Sequence, residues 1–335
     1  MSAVHHIGVV GGGAWGTALA NSLAHKGDDV VMWAYEADVV RDVNERHRNQ
    51  VFLPDAPLHP GLRATSDLAD ALTGTPVVVS VAPSHAVRAV MTQGARWLEP
   101  GALVLSASKG LEPAGLKRMT EVLAEVLPAG TGIVALSGPT FAREVYEGQP
   151  TACTVAGPAA DAGRAQQAVS TATFRVYTND DVIGVELGGA LKNVIAIAAG
   201  ILEGLGLGNN PRAALITRGL AEITRLGVAM GAQPLTFAGL AGMGDLVLTA
   251  CGPLSRNRSL GVALGQGQTL AQVMADRSSV AEGVGTAKVA VALGQRMGVE
   301  MPISTEVARV LFEGTSARAA VAALMGRELR SEAPA

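Results

Sequence analysis

The segment Ile7-Gly-Val-Val-Gly11-Gly-Gly13-Ala-Trp-Gly16-Thr-Ala-Leu-Ala20 decides the fold. An apolar, β-branched run ends in three glycines, and a helix-forming stretch begins at Ala14. Glycine at position 11 permits a tight turn, glycine at 13 lets a pyrophosphate approach the backbone, and glycine at 16 lets the helix pack on the sheet. The helix N-terminus then presents its N–H groups to the phosphates. A G-x-G-x-x-G pattern alone is weak evidence. This one follows a strand, opens a helix and leads on to a second strand at Val30–Trp33, and no Gly-Lys-Ser/Thr follows to make a P-loop. Gly11, Gly13, Ala14, Trp15 and Gly16 are therefore expected to line a dinucleotide.

Outward from this turn, β-branched runs recur at Val77–Val81, Leu103–Ser106, Ile133–Leu136, Ala152–Val155 and Phe174–Tyr177. Between most of them lie helix-length stretches such as Ala14–His25, Ser84–Leu98 and Leu116–Leu127. This alternation predicts βαβ crossovers and a parallel-rich, doubly wound sheet, an α/β Rossmann-type unit. After Tyr177 the pattern changes. Asp180–Ile201, Arg212–Met230, Thr269–Met274, Val284–Met297 and Ser304–Phe312 read as helices, and convincing strands disappear. The expected division is a dinucleotide-binding domain over 1–180 and an all-α substrate and catalytic domain over 181–335.

The composition agrees with two packed cores. The chain has 335 residues, 48% of them hydrophobic and 16% charged, which suits a folded chain of two domains. A net charge of −3 with no basic run argues against a nucleic-acid partner, so an anionic substrate needs a few local cations. Cys153 and Cys251 match no disulfide or metal spacing; both are expected to be buried, inert thiols in a reducing cytoplasm. No metal site is expected. No apolar run long enough for a membrane span and no secretory signal are read from the sequence.

Strand two ends at Trp33-Ala-Tyr35-Glu36, where an acid selects NAD through the ribose 2′-hydroxyl and an arginine accommodates NADP. Glu36 points to NAD, but it also suits a helix start, and Arg41 lies within reach of a phosphate; the choice between NAD and NADP stays open. Ketone reduction also needs an acid. All six histidines lie between His5 and His85, and no tyrosine follows Tyr177, so the helical half offers only Lys192 and Lys288 as candidate lysines. Lys192 stands in the nearly apolar stretch Val185-Glu-Leu-Gly-Gly-Ala-Leu-Lys192-Asn-Val-Ile. Burial there lowers an amine pKa toward the range of acid–base catalysis, and Gly188 and Gly189 are expected to leave ligand room beside it. The alternative is a lysine reaching out from a helix end.

Four further clusters sit where a ligand belongs. Ser106-Ala-Ser-Lys109-Gly110 follows the carboxyl end of a strand, where Lys109 either holds a phosphate or stays solvated. Ser137-Gly138-Pro-Thr140-Phe-Ala142 enters a helix, and Thr140 also suits a plain N-cap. Gly239-Leu-Ala-Gly-Met-Gly-Asp245 brings an acid that either orients the lysine or caps a helix. Ser255-Arg256-Asn257-Arg258 opens a helix with the makings of a phosphate clamp, or of a solvated basic turn.

Taken together, GGGAWGTALA, SASKGLE, LSGPTFARE, VELGGALKNVIAIAAG, ARAALITRGLAEITRLG, LAGMGDLVLTACGPLSRNR, VAEGVGTAKVA and EMPI resemble bacterial-type glycerol-3-phosphate dehydrogenase from about residue 5 to about 328. The resemblance implies a homodimeric cytoplasmic enzyme that uses NAD or NADP and supplies phospholipid synthesis. It implies Lys192 as proton donor, and substrate contacts from Lys109, Gly138, Thr140, Asp245, Ser255, Arg256 and Asn257. It places Ala14, Trp15, Tyr35, Lys109, Ala142, Arg256, Val280 and Glu282 along the cofactor. The family often carries a basic residue where Tyr35 stands, a departure that weakens the case for NADP. β-Hydroxyacid reductases also use a helix lysine, but with Asn four residues on; here Asn193 is adjacent and position 196 is Ala. A β-keto acid (ketopantoate-type) reductase and a non-catalytic NAD(P)-sensing protein are the rival readings.

Overall fold

The computed structural model describes residues 5–275, 281–329 and 331–332. Among the described residues there are ten strands: β1 His6–Val10, β2 Asp29–Trp33, β3 Arg63–Thr65, β4 Val77–Ser80, β5 Leu103–Ser106, β6 Leu111–Glu112, β7 Lys117–Arg118, β8 Gly132–Ser137, β9 Thr151–Ala156 and β10 Phe174–Asn179. Eight form one sheet in the order β10-β9-β8-β5-β4-β1-β2-β3, and β6 pairs with β7 as a small hairpin. All pairings in the large sheet are parallel except β8 with β9. The order reverses direction at β1, with β2 on one side and β4 on the other. A doubly wound sheet has its ligand crevice at such a switch point, outside the carboxyl ends of the strands.

The seven expected strands are all present, and β3, only three residues long, is an addition. The stretch expected to be helical from Leu116 begins its helix at Met119 instead. Leu116 has φ of 52°, and Lys117–Arg118 turn back to pair with Leu111–Glu112. Arg118 N–H then donates to Glu121 Oε2 at 2.8 Å, closing a capping box that starts the helix later. The Ser84 helix likewise stops at Gly94 and finishes as a 3₁₀ turn over Ala95–Trp97.

From Val182 onward the described residues form helices and no strand. Asp181 marks the change: Oδ1 accepts from the Gly184 N–H at 2.8 Å and Oδ2 from the Gln233 N–H at 2.8 Å. The helix Val182–Gly204 is the axis of this half, buried along nearly its whole length. It is long and apolar enough to cross a membrane by length and composition, which corrects the sequence expectation; 83% of its most apolar window is buried inside the protein.

Glycines let a second helix, Arg256–Gly265, lie almost backbone to backbone on this axis. A Cβ on Gly200 would lie 2.0 Å from Arg258 O, and one on Gly261 would lie 2.0 Å from Ile197 O. Gly204 and Gly265 repeat the contact one turn further along, at 2.2 Å from Val262 O and 2.5 Å from Ile201 O. Only bare Cα atoms permit this approach. It brings the start of the basic helix to the level of Asn193, beside Lys192.

One of the two cysteines differs from expectation. Cys153 is buried in β9, and burial pushes its thiol up to about 12. Cys251 is exposed, because it ends the short helix Asp245–Cys251 on its outer side.

Candidate active site

The glycine turn has the shape its sequence requires. Gly11 has φ of 137°, and a Cβ on it would meet the Val81–Ala82 backbone at 2.8 Å. A Cβ on Gly16 would lie 1.9 Å from Gly11 O, so the helix Ala14–Lys26 starts hard against the strand end. Around Gly13 nothing lies within 4 Å of that position. Gly13 is the helix N-cap, and no side chain caps the first turn. Trp15 Nε1 is buried without a protein partner. An open glycine, an N-terminus without a side-chain cap and an orphaned donor fit the pyrophosphate of a dinucleotide. Tyr35, 82% exposed, and Glu36, the N-cap of Ala37–Arg46 with no capping bond, stand beyond the end of β2.

Across the carboxyl edge of the sheet lies a polar cluster with Asp245 at its centre. Asp245 is fully buried, and its two oxygens are divided between two lysines. Oδ1 accepts from Lys192 Nζ and Oδ2 from Lys109 Nζ at 2.8 Å. Lys192 Nζ also donates to Thr249 Oγ1 at 2.9 Å; Lys109 Nζ donates to Gly138 O at 2.6 Å and Thr140 Oγ1 at 2.9 Å. Lys192 is 5% exposed, so it does not reach out to solvent. Burial lowers its pKa to about 7; the Asp245 carboxylate pulls upward and the Lys109 charge adds to the lowering. Thr140 is not the N-cap of the following helix, a place taken by Phe141 with no capping bond.

Gly188 and Gly189 do not leave ligand room, as their spacing suggested. A Cβ on Gly188 would lie 2.5 Å from Ala241 O, and one on Gly189 would lie 2.3 Å from Ser137 Oγ and 3.8 Å from Lys109 Cγ. The space is filled by the protein itself. The π-turn Leu240–Gly244 presses onto Gly188 and so delivers Asp245 to the lysine. Glu186 faces away from Lys192. Its oxygens accept from Arg118 Nη1 at 2.7 Å and the Thr120 N–H at 2.8 Å, tying the Lys192 helix to the hairpin that follows Lys109.

The basic helix start completes the cluster. Ser255 caps it by accepting from the Arg258 N–H at 3.1 Å. Arg258 is engaged by Glu203 through two bonds of 2.9 and 2.6 Å, on the side remote from the cluster. Arg256 opens to solvent, although surrounding protein lowers its guanidinium pKa and Glu282 opposes that effect. Asn257 Nδ2 donates to Asn193 Oδ1 at 3.0 Å, and Asn193 Nδ2 donates to Lys109 O at 3.2 Å. Asn257 Oδ1 accepts from the Gly283 N–H at 3.0 Å. Next to it, Glu282 accepts from Ser84 N–H at 3.2 Å and Ser84 Oγ at 2.6 Å, spanning the cleft. Ala142 opens the helix after Thr140. Val280 lies outside the described residues.

Thr249 and Ser84 were not singled out from the sequence, and Asn193 was noted only as the neighbour of Lys192, with no role in the site. Thr249 had a signal, since it stands one helical turn after Asp245 and shares its face. The other two act across the fold and had none.

A glycine-turn dinucleotide site facing a buried, carboxylate-held lysine defines a dinucleotide-dependent dehydrogenase with a helical second half. Comparison with known proteins narrows this. The N-terminal profile of NAD-dependent glycerol-3-phosphate dehydrogenase matches residues 6–162, and the C-terminal profile matches 181–322. The chain belongs to the NAD-dependent glycerol-3-phosphate dehydrogenase family. It is 56% identical over 329 residues to glycerol-3-phosphate dehydrogenase [NAD(P)+] of Geobacter sulfurreducens, and 54% identical to that of Geobacter sp. strain M21; each alignment covers 97% of this chain and 98% of the relative. A crystal structure of glycerol-3-phosphate dehydrogenase from Coxiella burnetii superposes with a TM-score of 0.92 at 40% identity, covering 97% of this chain and 99% of that one.

Proposed function

We propose that this protein interconverts dihydroxyacetone phosphate and sn-glycerol 3-phosphate with NAD or NADP, supplying glycerophospholipid synthesis. The observation that carries the reading is the buried Lys192 amine, with a pKa of about 7, held by Asp245 beside Lys109. Family membership and relatives that bear this activity's name support it.

NAD(P)H, when bound, supplies the hydride. Gly11, Gly13, Ala14, Trp15, Gly16 and Tyr35 would hold it, with Lys109, Ala142, Arg256, Val280 and Glu282 completing the lining. At a pKa of about 7 Lys192 exists in both protonation states near neutrality. It gives a proton to the alkoxide oxygen in reduction and takes one from the alcohol in reverse. Asp245 holds the ammonium in place, and the Lys109 charge makes its proton easier to give. Ser255, Arg256 and Asn257, at the start of a ten-residue helix, receive the phosphate through N–H groups, a hydroxyl and a guanidinium. Gly138 and Thr140 bound the substrate on the sheet side.

In this reading residues 1–180 bind dinucleotide and 181–335 carry substrate and catalysis. The protein works as a cytoplasmic homodimer without nucleic-acid partners or membrane insertion. The test is oxidation of NADH and of NADPH with dihydroxyacetone phosphate, against unphosphorylated ketones and β-keto acids. Turnover that requires the phosphate supports the reading, and the ratio of the two rates shows what Tyr35 and Glu36 select. Dinucleotide binding without turnover of this ketone would overturn it. Sedimentation at several concentrations checks the dimer.

A further inference from the structure

The middle peptide of the glycine turn is held from behind by a side chain outside the turn. Asn49 is fully buried, and its amide nitrogen donates to Gly12 O at 2.8 Å and to Thr17 Oγ1 at 2.8 Å. Thr17 Oγ1 itself lies 3.2 Å from Gly12 O. The orientation of the Asn49 amide is set on its other side, where Oδ1 accepts from the Phe52 N–H at 3.2 Å. Gly12 O therefore faces two side-chain donors buried between the helix Ala14–Lys26 and the loop that follows the helix Ala37–Arg46.

This matters because of what lies on the far side of the same peptide. A trans peptide points its C=O and N–H in opposite directions. With Gly12 O directed into the Asn49 amide, the Gly13 N–H is turned the other way, away from Asn49, and a Cβ on Gly13 would meet nothing within 4 Å. Glycine stands on both sides of this peptide bond, so side-chain sterics hinder its rotation less than at any other residue pair. A rotated peptide would turn a carbonyl toward an incoming phosphate and remove a donor.

We propose that Asn49 is a positioning residue for dinucleotide binding, acting by locking the Gly12–Gly13 peptide so that Gly13 presents its N–H to the pyrophosphate. The inference rests on the dinucleotide-dependent function proposed above. It deepens that reading by assigning the preorganisation of the turn to a residue that does not itself touch the ligand.

The test uses the full chain and isothermal titration with NADH and NADPH, alongside ketone kinetics. Asn49→Asp keeps the shape and the acceptor for Phe52 but loses both donated bonds. Asn49→Leu removes them without adding charge. Both are expected to weaken dinucleotide binding about tenfold or more. At saturating dinucleotide, kcat, the ketone KM and the pH at which activity declines should stay within about twofold, or a few tenths of a pH unit, of the wild type. Thr17→Val, which removes one of the two donors to Gly12 O and the acceptor of one Asn49 bond, should weaken binding several-fold and decides the matter where the Asn49 variants do not fold.

Unchanged dinucleotide affinity in folded Asn49→Leu would overturn the proposal. So would a loss confined to Asn49→Asp, which would be the field of a new carboxylate, or a fall in kcat at saturation matching the fall in affinity, which would be general damage. Failure of the wild type to bind either dinucleotide overturns this inference and the proposed function together. Binding without turnover of dihydroxyacetone phosphate overturns the proposed substrate alone.

Discussion

Replacing Asp245 by Asn should move the pH at which ketone reduction fails, and the direction follows from what surrounds Lys192. Burial lowers the amine pKa to about 7; Asp245 is the first opposing influence, and Lys109 the next lowering one. Asn keeps the shape and an oxygen acceptor but removes the charge that both lysines share. A unit charge about 4 Å away, at an effective dielectric near 20, contributes about 4 kcal/mol, or roughly three pKa units. Relaxation of Lys109 and water entry reduce this, so a fall of about one to two units is expected. At pH 7.5 an amine of pKa about 7 is about one quarter protonated. A fall of one unit leaves about 3%, an eightfold loss of the acid form, and a fall of two units leaves about 0.3%. The assay is kcat/KM for dihydroxyacetone phosphate between about pH 5.5 and 9, since this quantity reports ionisations in the free enzyme. The substrate phosphate titrates alike in both proteins, so only the difference counts. The variant should lose activity at lower pH and recover toward acid. An alkaline limit unchanged from the wild type would refute the reasoning, because Asp245 would not then govern the proton in use.

Three other outcomes are expected. Lys192→Ala should lower turnover by about a thousandfold or more while leaving dinucleotide affinity within about twofold, measured by titration calorimetry; joint loss of both would indicate misfolding. Gly261→Ala places a Cβ 2.0 Å from Ile197 O, backbone against backbone, so two helices must part. Overpacking of this kind costs about 1–3 kcal/mol and should lower Tm by several degrees and raise the ketone KM, with dinucleotide affinity unchanged. Lys192 should also make stability depend on pH. Its folded pKa of about 7 lies below the ordinary 10.5, so the unfolded chain binds more protons between those values. The burial penalty is full below about pH 7 and is relieved as pH rises, so stability relative to Lys192→Met should increase with pH by up to about 1.4 kcal/mol per unit, measured by urea unfolding. A flat difference across that window would contradict a depressed pKa.

Much of the fold was legible because local signals and the global arrangement agree. Seven strands carry β-branched runs that a buried parallel sheet requires, and Gly11 and Gly16 each have a separate steric reason in the turn, whereas Gly13 borders open space. The three-residue β3 was hidden because Arg63-Ala-Thr65 is too short to show a period. The start of the Met119 helix was misplaced because a hairpin and a capping box, both tertiary in origin, override its apolar spacing. Cys251 reads as apolar in sequence, yet stands on the outer side of its helix.

Lys192 itself was legible, since an amine in so apolar a helix has few uses that repay its burial. Its partners were less so, and the glycines beside it show why. Gly188 and Gly189 read equally well as space for a ligand and as space for protein, because a missing side chain specifies closeness without naming what comes close. The structure resolves the ambiguity in favour of Ala241 O and Ser137 Oγ. The same logic, repeated at Gly200, Gly204, Gly261 and Gly265, sets the distance between the lysine helix and the helix that starts at Arg256.

These packing glycines and the charged cluster form one device. An isolated ammonium at the position of Lys192 would be too costly to bury, and a solvated one would titrate near 10.5, too high to share a proton near neutrality. Close helix packing excludes water, which lowers the pKa; the π-turn that seals against Gly188 carries Asp245, which prevents the fall from going further. Lys109, on the opposite side of the cleft, takes the second carboxylate oxygen and so ties the proton balance of Lys192 to the relative placement of sheet and helices. Any shift that parts Lys109 from Asp245 must change the charge felt at Lys192. The pKa of the proposed acid is thus a property of the assembled cleft, and it exists only when both halves of the chain are docked.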